Sequence, residues 1–234
     1  MDNLTSIINS HANPEKAKLL SRFFKTGKGQ YGEGDKFLGI IVPVSRTIAR
    51  QFSSLSLNDV EQLLHNPSHE YRLIALFILI AQFKKGSEEQ KKAIFTLYTK
   101  NTTYINNWDL VDLSAPNIVG EYLLDKDITT LYTFAKSSSL WKKRISILAL
   151  FTDIKNGRFD RALSIAEILV DDSHDLIHKA VGWMLREMGK RGGLKEEESF
   201  LNKYAKTMPR TMLRYAIERF PEERRQFYMK LKNI

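Results

Sequence analysis

The chain of 234 residues contains no cysteine. Disulfides, thiol nucleophiles and thiolate metal sites are therefore excluded, and a reducing compartment fits. Long apolar runs are missing too. The most apolar stretch, 73–83, is too short to span a bilayer, and MDNLTSIINSHANPEKAKLL has no apolar core suited to a signal peptide. The expectation is a cytoplasmic protein without membrane attachment. No segment shows the sustained alternation of a half-buried strand, which removes nucleotide-binding folds built on a parallel sheet. Glycine clusters in one place, KTGKGQYGEGDK (25–36), which matches neither GxxxxGK[ST] nor a GxGxxG after a strand. That segment reads as a mobile connector able to touch a phosphate backbone. Of the 5 histidines, His65–His69 and His174–His178 stand at i,i+4. The first pair crosses Pro67 and neither has a further ligand at hand, so no metal and no cofactor are expected.

Apolar residues make up 43% of the chain, enough for a sizeable core. Lys and Arg number 36 against 27 Asp and Glu, a net charge of +9. Such a balance points to a polyanionic partner, nucleic acid before anionic membrane. Apolar residues at helical spacing predict helices over 14–24, 43–52, 57–65, 68–84, 87–99, 107–113, 117–124, 128–136, 140–155, 158–170, 175–190, 195–206, 209–220 and 222–232. Asn13 is placed to cap the first, with Pro14 at its first position. Ser68 with Tyr71 and Ser87 with Gln90 stand at capping distances, the second closer to a capping box.

The helices repeat. Aligning the apolar stripes of EYRLIALFILI (70–80), LWKKRISILAL (140–150), LIHKAVGWMLR (176–186) and TMLRYAIERF (211–220) puts Leu73, Arg144, Lys179 and Arg214 at one shared position, with Trp108 in step between the first two. The intervals are 35, 36, 35 and 35 residues. Each holds two helices and two turns, the size of an α-solenoid unit that buries its apolar face only by stacking on neighbours. The expected fold is an all-α superhelix of such units, one domain over 1–234. If the shared position lines a concave face, Arg144, Lys179 and Arg214 form a row suited to phosphates.

Tryptophan is rare, with 3 in the chain. In NNWDLVD (106–112), Trp108 and Asp112 lie at i,i+4 on one helix face, a carboxylate beside an indole, while Asp109 lies roughly 100° away around the helix. Two readings stand: a reacting pair, or a core Trp108 with Asp112 capping a helix that begins near Asn117. In KAVGWMLREMGK (179–190), Trp183 has Arg186 at i+3, again either a ligand-facing pair or a core indole with a surface cation. Trp141 precedes Lys142, Lys143 and Arg144 and is expected to pack between repeats.

Through NPEKAK (13–18), KFLGI (36–40), VPVSR (42–46), NWDLVD (107–112), WKKR (141–144) and KAVGWMLRE (179–187), the chain resembles the AlkD-like DNA alkylation repair glycosylases, which are built from HEAT-like repeats. The resemblance implies Asp112 as catalytic carboxylate, with Trp108 and Trp183 as active-site indoles. It implies Arg144 near the lesion and Arg186 on the DNA backbone. Lys143, Lys179, Arg214 and Phe23 join the expected DNA-binding set. Phe23 stands where some members carry tyrosine, so the ring is kept and the hydroxyl lost. The implied activity is monofunctional excision of N3- or N7-alkylated purines from duplex DNA in base excision repair; a capped array is expected to be a monomer. Two alternatives remain. One is a non-catalytic relative that binds branched or distorted DNA, although such relatives tend to lack the aspartate and tryptophans. The other is a HEAT scaffold holding an acidic peptide, against which the in-register cations argue.

Overall fold

The computed structural model describes residues 1–231. Among them there is no strand, only a lone bridge between Lys36 and Ser68. The fold is an all-α helical repeat, as the spacing implies. Packing divides the chain into two compact units, Met1–Ser114 and the remainder from Ala115.

The first unit contains α1 (Asp2–Ser10), α2 (Pro14–Phe23), α3 (Val42–Gln51), α4 (Leu57–Leu64), α5 (His69–Lys85), α6 (Glu88–Lys100) and α7 (Trp108–Ala115), whose last residue begins the second unit. Helix α5 is its centre. Ile74, Leu76, Ile78 and Leu79 are fully buried there, and apolar residues occur around most of its circumference because α3, α4 and α6 pack on it. Asn13 caps α2 by accepting from the Lys16 amide at 2.9 Å, and Ser87 with Gln90 forms the full capping box of α6. Ser68 makes no side-chain cap for α5. Its place is taken by the Lys36 carbonyl, which accepts from the His69 amide at 2.7 Å. Helix α1 escapes a reading from spacing. DNLTSIINS is poor in strong helix formers, and only Leu4 and Ile8, one turn apart, are buried.

The second unit contains α8 (Glu121–Leu123), α9 (Thr129–Ala135), α10 (Leu140–Ala149), α11 (Phe151–Lys155), α12 (Asp160–Leu169), α13 (Asp175–Gly189), α14 (Leu194–Tyr204), α15 (Arg210–Ala216) and α16 (Glu222–Lys230). The helix expected over 140–155 is two helices that break at Leu150. That expected over 117–124 begins as a π-helical stretch, Pro116–Gly120, where Pro116 brings no amide hydrogen to the ladder. The Pro116 carbonyl instead accepts from Thr152 Oγ1 at 2.9 Å. A β-carbon on Gly120 would lie 2.2 Å from the Ala149 carbonyl oxygen, so this residue lets the π-helical stretch close on α10. Gly182 does the same between α13 and α15, where a β-carbon would meet the Met212 carbonyl oxygen at 2.4 Å. The segment expected over 209–220 shortens to α15 followed by a 3-10 turn, Ile217–Arg219, and the residue before Pro221 is extended. The expected end of the last helix, Lys232, lies outside the described residues.

Candidate functional site

In the first unit, the site grows from the start of α7. Asn107, fully buried, accepts the Trp108 amide on its side-chain oxygen at 2.9 Å, and its carbonyl accepts the Val111 amide. The half-buried indole of Trp108 stacks on Phe24 at 5.2 Å and meets the edge of Phe23 at 5.8 Å. Its Nε1 donates to the Tyr31 hydroxyl at 3.2 Å. Phe23 is 63% exposed, which places an open aromatic ring against the indole. Asp112 follows one turn later and is half-buried. Its charge, after burial, helps push the Tyr98 phenol far up; that phenol shares a 2.8 Å hydrogen bond with Ser114 Oγ. No helix begins at Asn117 for Asp112 to cap, because Ala115 and the residues after it are already helical. The capping alternative for Asp112 therefore fails.

The glycine-rich segment is anchored to the first unit at its C-terminal end. Its Asp35 side chain is wholly buried and accepts from Arg72 Nη2 at 2.5 Å, while His69 Nδ1 lies 3.0 Å from the other oxygen. His69 Nε2 lies 2.9 Å from Asp109 Oδ2. Glu70, also buried, accepts from the amides of Leu38, Gly39 and Ile40 at 2.9, 2.8 and 3.1 Å. The first turn of α5 thus grips residues 35–40. Burial opposes charge on His69, but Asp109 and Asp35 outweigh it and push the imidazole up to about 9. Burial likewise opposes charge on Asp35, and His69 with Arg72 holds the carboxyl below its usual range.

In the second unit, α13 carries Lys179, Trp183 and Arg186 along its length. Trp183 is half-buried, with its ring 6.0 Å from Phe151. Lys179 pairs with Asp175 at 2.7 Å. Arg186 pairs with Glu218, and its Nε stands 4.0 Å from Glu187. On α10, Lys143 pairs with Asp172 at 2.6 Å. Arg144 is buried and donates to the Leu176 carbonyl at 2.5 Å. Arg214 on α15 is exposed. The cations at the shared repeat position therefore differ in environment: Arg144 buried, Lys179 half-buried and ion-paired, Arg214 open.

The family described as DNA alkylation repair enzyme matches residues 4–220. The chain belongs to this family. A search of curated proteins gives no match. Among solved structures, the fold is similar to a predicted DNA alkylation repair enzyme from Enterococcus faecalis, with a TM-score of 0.69 and 17% identity, covering 91% of this chain and 98% of that one. It is also similar to AlkD2 from Streptococcus mutans, with a TM-score of 0.55 and 18% identity, covering 89% and 99%. At such identity these two likenesses concern the fold. Membership in the DNA alkylation repair family gives the chain a role in the repair of alkylated DNA. No helix among the described residues is long and apolar enough to cross a membrane.

Within this repair protein, the structure brings Phe23, Trp108 and Asp112 into the first unit and the remaining expected residues into the second. Sequence reasoning missed Asp35, His69 and Asp109. Their separations of 34 and 40 residues follow no helical spacing. The signal available was a lone histidine and an arginine in the first turn of an otherwise apolar helix, His69-Glu70-Tyr71-Arg72. Burial there demands partners.

Proposed function

We propose that the chain is a monofunctional DNA glycosylase that excises N3- or N7-alkylated purines from duplex DNA, as a single-domain monomer without a cofactor. The observation that carries this reading is the pairing of a half-buried indole with a carboxylate one helical turn later, Trp108 and Asp112, in a member of an alkylation-repair family. Alkylation at N3 or N7 gives the purine a positive charge and makes it a good leaving group. The bond from C1′ to the base breaks with its electron pair going to the base, which becomes neutral. Positive charge passes to the deoxyribose, water adds at C1′, and a proton is released.

Asp112 stabilises that cationic sugar. At about 4 Å and an effective dielectric of about 20, one carboxylate contributes about 4 kcal/mol, on the order of a thousandfold in rate. A lesion that is already cationic needs no general acid to leave. The faces of Trp108 and, by the family resemblance, Trp183 add cation–π attraction of about 0.5–2 kcal/mol each. Phe23 supplies a ring beside Trp108 without the hydroxyl some relatives have. Lys143, Arg144, Lys179, Arg186 and Arg214 are assigned to the DNA. Lys143, Lys179 and Arg186 already pair with carboxylates, and phosphates would replace those partners. The test is release of free base from duplex DNA carrying N7-methylguanine. Release is expected from the lesion duplex and not from an undamaged one; no release from the lesion duplex overturns the proposal.

A further inference from the structure

His69 is 2% exposed and presents both ring nitrogens to carboxylate oxygens, Nδ1 to Asp35 at 3.0 Å and Nε2 to Asp109 at 2.9 Å. A neutral imidazole donates from one nitrogen only, so both bonds exist together only with the imidazolium. Charges then balance: Asp35 and Asp109 against His69 and Arg72, whose Nη1 is further bound by the carbonyls of Asn66 and Pro67 at 3.0 and 3.1 Å. A buried imidazole bonded through both nitrogens holds its neighbours in one arrangement.

What it holds is the surroundings of Trp108. Asp109 and Asn107 flank that residue in the chain, and both touch the cluster: Asp109 through His69, and Asn107 Nδ2 through Asp35 at 3.5 Å. Asp35 also fixes the end of the segment whose Tyr31 accepts the indole N–H. Between the imidazole and the indole lie Phe37, stacked on His69 at 4.5 Å, and Phe24, stacked on both Phe37 and Trp108.

We propose that Asp35, His69 and Asp109 form a positioning clamp for Trp108, in which His69 locks residues 31–36 and the start of α7 around the indole. The glycosylase reading enters only in what the indole does to substrate; how the indole is held does not depend on it. The charged groups facing His69 are Asp35 from the loop and Asp109 from α7, with Arg72 on its own helix reaching Asp35; α2 presents the Phe24 ring. Tyr31, with Lys25 6.0 Å from its ring centre, is the ionisable group on the indole itself.

Fluorine NMR of protein carrying 5-fluorotryptophan tests the clamp, since the chain has only 3 tryptophans and Trp108→Phe assigns the relevant signal. In the wild type, the Trp108 resonance is expected to shift with a midpoint at about 9, where the imidazolium loses its proton. The midpoint should vanish in His69→Gln and persist in Tyr31→Phe. Asp109→Asn should displace the resonance at neutral pH. A flat Trp108 resonance in the wild type overturns the clamp, as does a midpoint that survives His69→Gln or disappears in Tyr31→Phe. Should His69→Gln fail to fold, the wild-type, Tyr31→Phe and Asp109→Asn spectra decide alone. Base release separates the two claims. A titrating resonance without release by the wild type sinks the glycosylase reading alone, and release with a flat resonance sinks the clamp alone. Where both hold, His69→Gln should lower release at saturating DNA by about 10- to 100-fold with little change in KM.

Discussion

The start of α7 and the length of α13 both carry a tryptophan among charged residues, yet they hold those charges in different ways. Around α7, His69, Arg72 and the side chain of Asp35 are buried, each charge is matched, and the partners come from a loop and two helices. Along α13, Lys179 pairs with half-exposed Asp175, and Arg186 with half-exposed Glu218 and, at 4.0 Å, with buried Glu187. A buried matched network resists displacement, because removing one member strands another in low dielectric. A half-exposed pair contributes little to stability and exchanges partners readily. The first arrangement suits a group whose orientation matters; the second suits cations that must trade a carboxylate for a phosphate. Arg144, buried on the Leu176 carbonyl, belongs by its surroundings with the first kind although its repeat position groups it with the second.

The comparison breaks most visibly at His69. Replacing it with alanine leaves Asp35 and Asp109 without their shared cation and is expected to cost about 3–5 kcal/mol in urea unfolding. A cost below about 1 kcal/mol would put the α7 network on the same footing as an exposed pair. The pH dependence comes next. The His69 imidazole rises from 6.5 to about 9 on folding. Its contribution is therefore complete below pH 6.5 and is lost as pH climbs through about 9. The expected loss of about 2–4 kcal/mol should be visible in urea midpoints and absent from His69→Gln.

Glu197 in α14 sharpens the contrast from the other side. It is 1% exposed and its Oε1 has no hydrogen-bond partner, and burial, with the nearby charge of Glu198, pushes it from 4.5 up to about 8. Between those values the folded chain keeps a proton that the unfolded chain releases, so stability falls as pH rises. Glu197→Gln should consequently stabilise the protein by about 1–3 kcal/mol above pH 8, shrinking towards zero near pH 4.5. An unchanged thermal midpoint in the alkaline range would show that the carboxyl finds a partner in solution. The smallest effects on stability belong to Lys179→Ala, about 0.5 kcal/mol or less. Its effect on DNA should be larger in kind: the salt dependence of binding is expected to flatten by about one unit of slope, and Arg214→Ala should do the same. An unchanged slope would mean that these positions do not face DNA.

Much of the fold was legible because amphipathic helices repeat at an interval of 35 or 36 residues, and side-chain caps such as Asn13 and Ser87 mark their starts. Ends were less legible where tertiary contacts set them. Thr152 satisfies the Pro116 carbonyl, and the Lys36 carbonyl does for α5 what Ser68 was expected to do. Trp108 and Asp112 stood out because tryptophan is rare and i,i+4 is local. His69 did not. The i,i+4 spacing pairs it with His65, but His65 bonds Asn101 at 2.6 Å and lies tilted against Tyr104, while His69 turns to aspartates far along the chain. Glycines implied mobility in 25–36, and only the structure shows that Asp35 and Tyr31 tie that segment down.

The division of labour is tested most directly by measuring binding and base release together, on one duplex containing N7-methylguanine, in Asp112→Asn. If Asp112 stabilises the departing sugar cation and the cations elsewhere hold the DNA, this variant should bind within about twofold of wild type while release falls on the order of a thousandfold. Release at the wild-type rate by Asp112→Asn would contradict the assignment outright.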